Sequence, residues 1–276
     1  MHVKKFSIPV LVYHHVNPQG NFLNVTPHRF ESHMRYLSKH GFTTLHTGEL
    51  LSIMKGEKMP PKKPVMITFD DGWLDNWLFA FPVLKKYGLK AVIFVITSWI
   101  PEKGRRRKAD EGNALSLPPH EECKKMIEEG LASDVVISWE EIIEMVNSGF
   151  IDVQSHTHTH RRYDRLYNDH IERTDILKQE LKTSKKIIEE KLSRQCNTIC
   201  WPYGRYDTDY VEAAESSGYR LMFTTEKGTN TEETEPWKIR RIGIGNISSI
   251  ILAKKLFIHS RDYLSNTYLN IFQKKK

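Results

Sequence analysis

Two short stretches of the chain bring together side chains that can do chemistry. Residues 66–73 read MITFDDGW, with Asp70 and Asp71 side by side at the end of an apolar run. Residues 153–160 read VQSHTHTH, with His156, His158 and His160 at alternate positions. Adjacent residues on a strand point to opposite sides. At a strand tip the chain can turn, and Gly72 makes that turn easy, so both carboxylates can enter one pocket. Two unpaired carboxylates held close repel each other, and a cation removes that cost. His156 and His160 are four apart, so both imidazoles reach one metal if the chain coils just past the strand. One carboxylate and two imidazoles leave a coordination position open for water, as in catalytic zinc sites. A lone DDG is a common turn, and a lone HxxxH often holds no metal. The two motifs together, each ending an apolar run, point to a hydrolytic metal centre.

The elements that must position these residues follow from periodicity. IPVLVYH (8–14) reads as a strand. Thr26 then caps a helix with Pro27 in its first turn and Phe30, Met34 and Leu37 on one face, closed by Gly41. FTTLHT (42–47) reads as a short strand, GELLSIMKG (48–56) as a short helix and PVMITFDD (64–71) as a buried strand. A helix near 75–87 precedes strand KAVIFVI (90–96). Residues 101–134 read as an irregular polar insertion. Ser138 and Glu141 form a capping box that opens a helix over 137–149. Strand IDVQSHT (151–157), a helix over 174–192, strand and turn NTICWPYG (197–204), a helix near 207–217, strand YRLMFTT (219–225) and strand KIRRIGIG (238–245) complete the alternation. With no repeat and no linker, residues 1–276 read as one α/β domain, a distorted (β/α) barrel of parallel strands. Its active site lies at the strand C-terminal ends, where every polar motif falls.

Composition narrows the setting. The 276 residues carry 41 Lys and Arg against 34 Asp and Glu, for a net charge of +7. Part of the excess lies in GRRRK (104–108) and in the basic tail, about 260–276, which ends QKKK. An anionic membrane surface is a possible partner for such runs, although each also reads as a solvated segment. No nucleic-acid motif accompanies them. Three cysteines, Cys123, Cys196 and Cys200, cannot all pair with one another, which suggests a reducing compartment. The spacing of Cys196 and Cys200 suits zinc poorly. The N-terminal apolar run is short and broken by Ser7 and Pro9, unlike a signal peptide. A cytoplasmic protein is therefore expected, and with it a soluble or lipid-linked sugar intermediate as substrate. The oligomeric state is not legible.

TFDDG, then SHTHTH, then WPYG, in that order, resembles the polysaccharide deacetylase family of carbohydrate esterases, and most closely the branch containing biofilm poly-N-acetylglucosamine deacetylases. The resemblance runs from IPVLVYHHV to about residue 245. It implies a metal-dependent hydrolase that removes acetyl groups from N-acetylated sugars, with one divalent ion, zinc being the expected one. It implies Asp71, His156 and His160 as metal ligands, Asp70 as the base, and the backbone N–H of Tyr203 as an oxyanion donor. Two features depart from the family pattern. Cys200 stands where many members carry an arginine that orients the base, and Arg240 or Arg241 could supply that charge instead. The late histidine of many members has His259 as its nearest match, but the permuted branch places its general acid on the first strand, which favours His14. His158 reads as a supporting or solvent-facing residue, and His15 as facing away. Trp73 and Trp201 are the candidates for stacking on sugar rings, with core packing as the alternative. Two other functions stay open: a hydrolase of a small non-sugar amide, and a catalytically dead carbohydrate-binding homologue. The second would require a lost base or ligand, and none is lost.

Overall fold

Apolar runs rich in Val, Ile and Phe become a parallel sheet in the computed structural model, which describes residues 5–21, 23–112 and 117–273. Among the described residues ten strands form: β1 Val10–Tyr13, β2 His15–Val16, β3 Asn24–Val25, β4 Thr43–Thr44, β5 Pro64–Phe69, β6 Ala91–Val95, β7 Ile151–Ser155, β8 Thr198–Cys200, β9 Leu221–Phe223 and β10 Ile242–Gly243. The sheet runs β10-β1-β5-β6-β7-β8-β9, with β4 beside β5, and β2 and β3 pair separately. All of these ladders are parallel.

The curl of this sheet is closed by the segment that leads into β10. Ile239 bridges Phe223 at one edge, donating to the Met222 carbonyl and accepting from Thr224, both at 2.9 Å. Three residues later Ile242 pairs with Leu11 at the other edge. The expected distorted (β/α) barrel is thus formed.

Strand alternation sorts the apolar side chains into two cores. Val10, Met66, Val92, Phe94, Cys200, Leu221, Phe223 and Ile239 cluster inside the barrel. Their neighbours Leu11, Ile67, Ile93, Ile199 and Met222 point outward, into the larger core under the helices.

The predicted caps form. Thr26 accepts from Arg29 N at the start of helix Pro27–Lys39. Ser138 and Glu141 exchange backbone bonds at 3.3 and 3.0 Å to open helix Trp139–Asn147. Glu141 is fully buried and also binds Arg106 of the insertion at 2.7 Å, through both the backbone N–H and the guanidinium.

Several expectations need correction. The insertion at 101–134 is not irregular throughout: it contains helices His120–Glu128 and Ala132–Val135, the first docked by buried Cys123. Its charges are also spent internally. Arg105 pairs with Glu111 and Glu144, Arg106 with Glu141, and Lys108 with Glu111 and Glu144. The tail is not unstructured either. Helices Ser249–His259 and Asp262–Gln273 follow β10, and Leu252, Leu256 and His259 of the first are buried. Lys274, Lys275 and Lys276 lie outside the described residues, as do Met1 to Lys4 of the expected first strand's leader. The helix expected near 75–87 begins as a π-turn, Asn76–Ala80, before continuing as Phe81–Tyr87. Such turns often occur at functional sites. The helix expected from 174 starts earlier, at His170, capped by Asp169.

Glu141→Ala should remove a cap and strand a mostly buried Arg106. We expect a loss of about 3 kcal/mol of stability, the lower end for breaking a buried ion pair. Chemical denaturation would measure it, and an unchanged midpoint would mean that this carboxylate does not tie the insertion down.

Candidate active site

The parity that fills the barrel also fills its mouth. Val12 lies opposite Thr68, so His14 and Asp70 stand one inward step further along their chains. Phe94 lies opposite Gln154, so His156 follows on the same inward face of β7, one step beyond Gln154. Cys200 ends β8 on the inward face, and Arg241 follows inward-facing Ile239 by two. Five inward positions from different strands therefore converge at the strand C-terminal ends.

Asp70 is held by Arg241 alone among the arginines. Nη1 donates to Oδ1 at 2.7 Å and Nη2 to Oδ2 at 2.9 Å, a fork-on-fork pair. Nε of the same guanidinium donates to the Thr224 carbonyl at 2.7 Å. Both partners are buried. Burial pushes the Asp70 pKa up, but the charge and hydrogen bonds of Arg241 more than reverse it, so the carboxyl lies below its usual range. Arg240 takes no part, with its side chain lying against Gly228. Cys200 contributes only a thiol, 3.7 Å from Asp70 Oδ1, and leaves the room that Arg241 occupies.

Asp71 faces the two histidines instead. Its Oδ1 lies 3.3 Å from His156 Nε2 and 3.7 Å from His160 Nε2, and Oδ2 accepts from Trp73 Nε1 at 2.9 Å. The ligand atoms of this trio fall within 4.8 Å of one another, as do those of Asp70, His156 and Cys200. Chemistry separates the two sets. His156 Nδ1 is 2.7 Å from the Cys200 carbonyl, which can only accept, so Nδ1 carries a proton and the neutral ring has its lone pair on Nε2. That lone pair faces Asp71. A backbone carbonyl orienting the far nitrogen is the usual support of a metal-ligating histidine. In the second set, burial raises the Cys200 thiol pKa, and Arg241 already occupies both Asp70 oxygens.

Electrostatics agree with a cation at the first set. Burial opposes charge on both groups, yet the His156 bond and the neighbouring rings hold the Asp71 carboxyl well below its usual value. Burial likewise disfavours a charged His156, yet Cys200, Asp71 and Asp70 raise it well above an ordinary imidazole. His160 moves the other way, to about 3, because burial and His156 together disfavour a second charge. A neutral His160 beside a carboxylate that attracts positive charge suits a divalent ion.

The backbone is bent to build this pocket. Of the six non-glycine residues with positive φ among the described residues, four are Asp71 (75°), Thr157 (69°), His160 (59°) and Tyr203 (57°). Such strain concentrates at functional sites. The HTHTH loop is clamped by buried Glu180, which accepts from the backbone N–H groups of His158 at 3.0 Å and Thr159 at 2.5 Å. Thr157 Oγ1 accepts from His160 N at 3.0 Å.

The remaining candidates divide. His14 lines the pocket, 27% exposed, with Nε2 3.9 Å from Asp70 Oδ2; burial lowers its pKa against the pull of both carboxylates. His158 turns aside to Thr97 at 2.9 Å. His259 is packed under the tail, bonded to Ser265 at 2.8 Å. Trp73 and Trp201 are fully buried, so neither offers a face to a sugar. Trp73 instead stacks on His15 with ring centroids 4.6 Å apart. The aromatic rim is made by Tyr203, 51% exposed, and by partly exposed Trp99, whose rings lie 4.7 and 5.5 Å from His160. Trp99 was not anticipated, though a tryptophan just past a strand tip is a signal of rim position. Glu180 and His120 were also missed, and neither lies near a motif in sequence.

The chain matches the polysaccharide deacetylase family over residues 57–222. It is 32% identical over 245 residues to YxkH of Bacillus subtilis (strain 168), a protein named as a polysaccharide deacetylase, covering 87% of this chain and 72% of that one. It is 26% identical over 264 residues to the poly-beta-1,6-N-acetyl-D-glucosamine N-deacetylase of Staphylococcus aureus (strain MRSA252), covering 88% of this chain and 80% of that one. Among solved structures, the Streptococcus pyogenes deacetylase PplD in complex with acetate shares the fold, with a TM-score of 0.72 at 24% identity over 92% of this chain and 99% of that one. The matched span holds Asp70, Asp71, His156, His160 and Tyr203, and on these grounds the chain belongs to the polysaccharide deacetylase family.

Proposed function

We propose that the chain is a metal-dependent N-deacetylase of N-acetylated sugar polymers, with Asp71, His156 and His160 as ligands, Asp70 as base and His14 as acid. The observation that carries this reading is the pair of adjacent carboxylates given opposite partners: Asp70 to Arg241, Asp71 to two imidazole lone pairs. A divalent ion held by Asp71, His156 and His160 would polarise the acetyl carbonyl and acidify the attacking water. Two imidazoles and one carboxylate suit zinc.

The protein groups then divide the proton traffic. Asp70, ionised and held in orientation by Arg241, accepts the proton of the water. Arg241 stays charged through the cycle, so it lowers the basicity of Asp70 while locking its geometry. The backbone N–H of Tyr203 is the donor for the developing oxyanion. His14 gives a proton to the departing amine, which leaves poorly unless protonated. Trp99 and Tyr203 offer ring faces to the sugar.

The S. aureus relative is named for a polymer substrate, which supports a polysaccharide here over the soluble or lipid-linked intermediate expected from the sequence. All three cysteines are buried, so they would survive in either redox setting, and their odd count does not by itself favour a reducing compartment. Contact with an anionic membrane would fall to the C-terminal lysines, because the 104–108 run is largely neutralised by Glu111, Glu141 and Glu144.

Three outcomes test the assignment. His156→Ala should lose bound metal in elemental analysis of the purified protein, and acidification should release it from wild type, since protons compete for Nε2; unchanged metal in the variant sinks the ligand set. Asp70→Asn should keep its metal and release acetate from N-acetylglucosamine oligomers about 10²–10⁴-fold more slowly. Near-normal turnover would make another group the base. His14→Ala should lose most turnover with metal content intact, whereas His259→Ala should be mild. The reverse ranking would return the acid role to the C-terminal histidine.

A further inference from the structure

The insertion sends one histidine to the rim of the pocket, and a buried chain of bonds holds it there. Asp75 and His15 are both fully buried, with Oδ2 2.7 Å from Nδ1. His15 Nε2 is 3.1 Å from His120 Nδ1. A carboxylate can only accept, so His15 Nδ1 donates to it. With neutral rings the rest follows: His15 Nε2 accepts, His120 Nδ1 donates, and His120 Nε2 is left with a lone pair. Apart from Glu121 at 4.0 Å, that nitrogen makes no hydrogen bond or ion pair among the described residues. It is not among the buried polar atoms left without partners, so solvent reaches it.

Its placement is fixed from several sides. His120 meets Trp73 edge-on at 5.3 Å and His14 at 6.5 Å between ring centroids. Trp73 lies on His15 and also bonds Asp71. The approach to helix His120–Glu128 is pinned by Asn17, whose Nδ2 donates to the Leu117 carbonyl at 2.8 Å, and by buried Cys123. The three rings of His14, His15 and His120 do not form a metal cluster among the described residues.

We propose that His120 is a substrate-contacting residue whose Nε2 accepts a hydrogen bond from a sugar hydroxyl beside His14, with Asp75 and His15 as the residues that position it. The proposal rests on the deacetylase reading for its substrate class. A buried carboxylate–imidazole pair costs desolvation and is kept where orientation matters. Here it fixes both the tautomer and the direction of a nitrogen that a loop alone would leave free to turn. The hydroxyl is the commonest donor on an N-acetylated sugar, and an acceptor at the rim is its complement.

The test uses the metal-loaded full chain and an N-acetylglucosamine oligomer. His120→Ala should raise KM about 3- to 10-fold, the loss of one hydrogen bond, while kcat and metal content stay within about twofold of wild type. His120→Gln, which keeps an acceptor, should recover part of that loss. Asp75→Asn should raise KM by a smaller factor. A fall in kcat or metal content matching the change in KM, or no rescue by glutamine, would mean that His120 is merely structural. Long-range ¹⁵N NMR should find His120 protonated at Nδ1, with its Nε2 resonance moving as oligomer is added. A proton on Nε2, or a resonance that does not move, overturns the proposal. If wild type releases no acetate from the oligomer, the deacetylase reading fails by itself, and the NMR titration still decides whether His120 touches sugar.

Discussion

Two adjacent buried carboxylates set the terms for this molecule. Asp70 and Asp71 are 4% and 6% exposed, so neither can leave its charge to water. Like charges at that spacing, in a low-dielectric pocket, would ordinarily force one of them to take up a proton. The fold avoids this by parting their surroundings. Asp70 keeps the inward direction of β5 and meets a guanidinium, while Asp71 turns through a positive φ and meets imidazoles. One carboxylate is fixed by a guanidinium and the other faces two imidazoles, though they are neighbours on the chain.

Barrel closure and chemistry are therefore the same event. The residue that compensates Asp70 comes from the segment whose Ile239 and Ile242 join the two sheet edges. Opening that seam would remove Arg241 and leave a buried carboxylate unpaired, a penalty of about 3–5 kcal/mol. Cys200 belongs to this arrangement as a small neighbour. A long side chain at that inward position would compete with Arg241 for the space beside Asp70. In this chain the charge beside Asp70 thus comes from the segment that closes the barrel, not from β8.

How much of this was legible in the sequence depended on how local each signal was. That Asp70, Asp71, His156 and His160 would meet in one pocket was legible because one strand tip and one coil carry them, and residue type plus spacing sufficed. Arg241 was half legible. KIRRIG flags two arginines, but Ile239 and Ile242 flank them evenly, so only the observed parity chooses between them. Trp73 and Trp201 misled because sequence neighbours of motif residues can point into the outer core, which is where both rings went. The C-terminal helices were missed for a different reason. Ile250, Ile251 and Phe257 are exposed, so apolar residues surround helix Ser249–His259 and blur its period. His120 had no local signal at all, since its meaning arises from a tertiary contact with His15, 105 residues away.

The strained backbone explains why so much of the structure around the pocket is devoted to clamping. Positive φ at Asp71, Thr157, His160 and Tyr203 costs on the order of 1–3 kcal/mol at each residue. Packing alone seldom repays that at a solvent-facing rim. Here the compensation is polar and specific: Glu180 gathers the His158 and Thr159 amides, Thr157 caps the His160 amide, and Trp73 bonds Asp71. Each clamp acts on a residue that is itself strained or adjacent to one. A cation shared by Asp71, His156 and His160 would act at the same place and in the same direction, drawing together three side chains whose backbone conformations the chain would not choose unaided. With the loops clamped in this way, a cation bound there would need to supply little of the free energy of bending them.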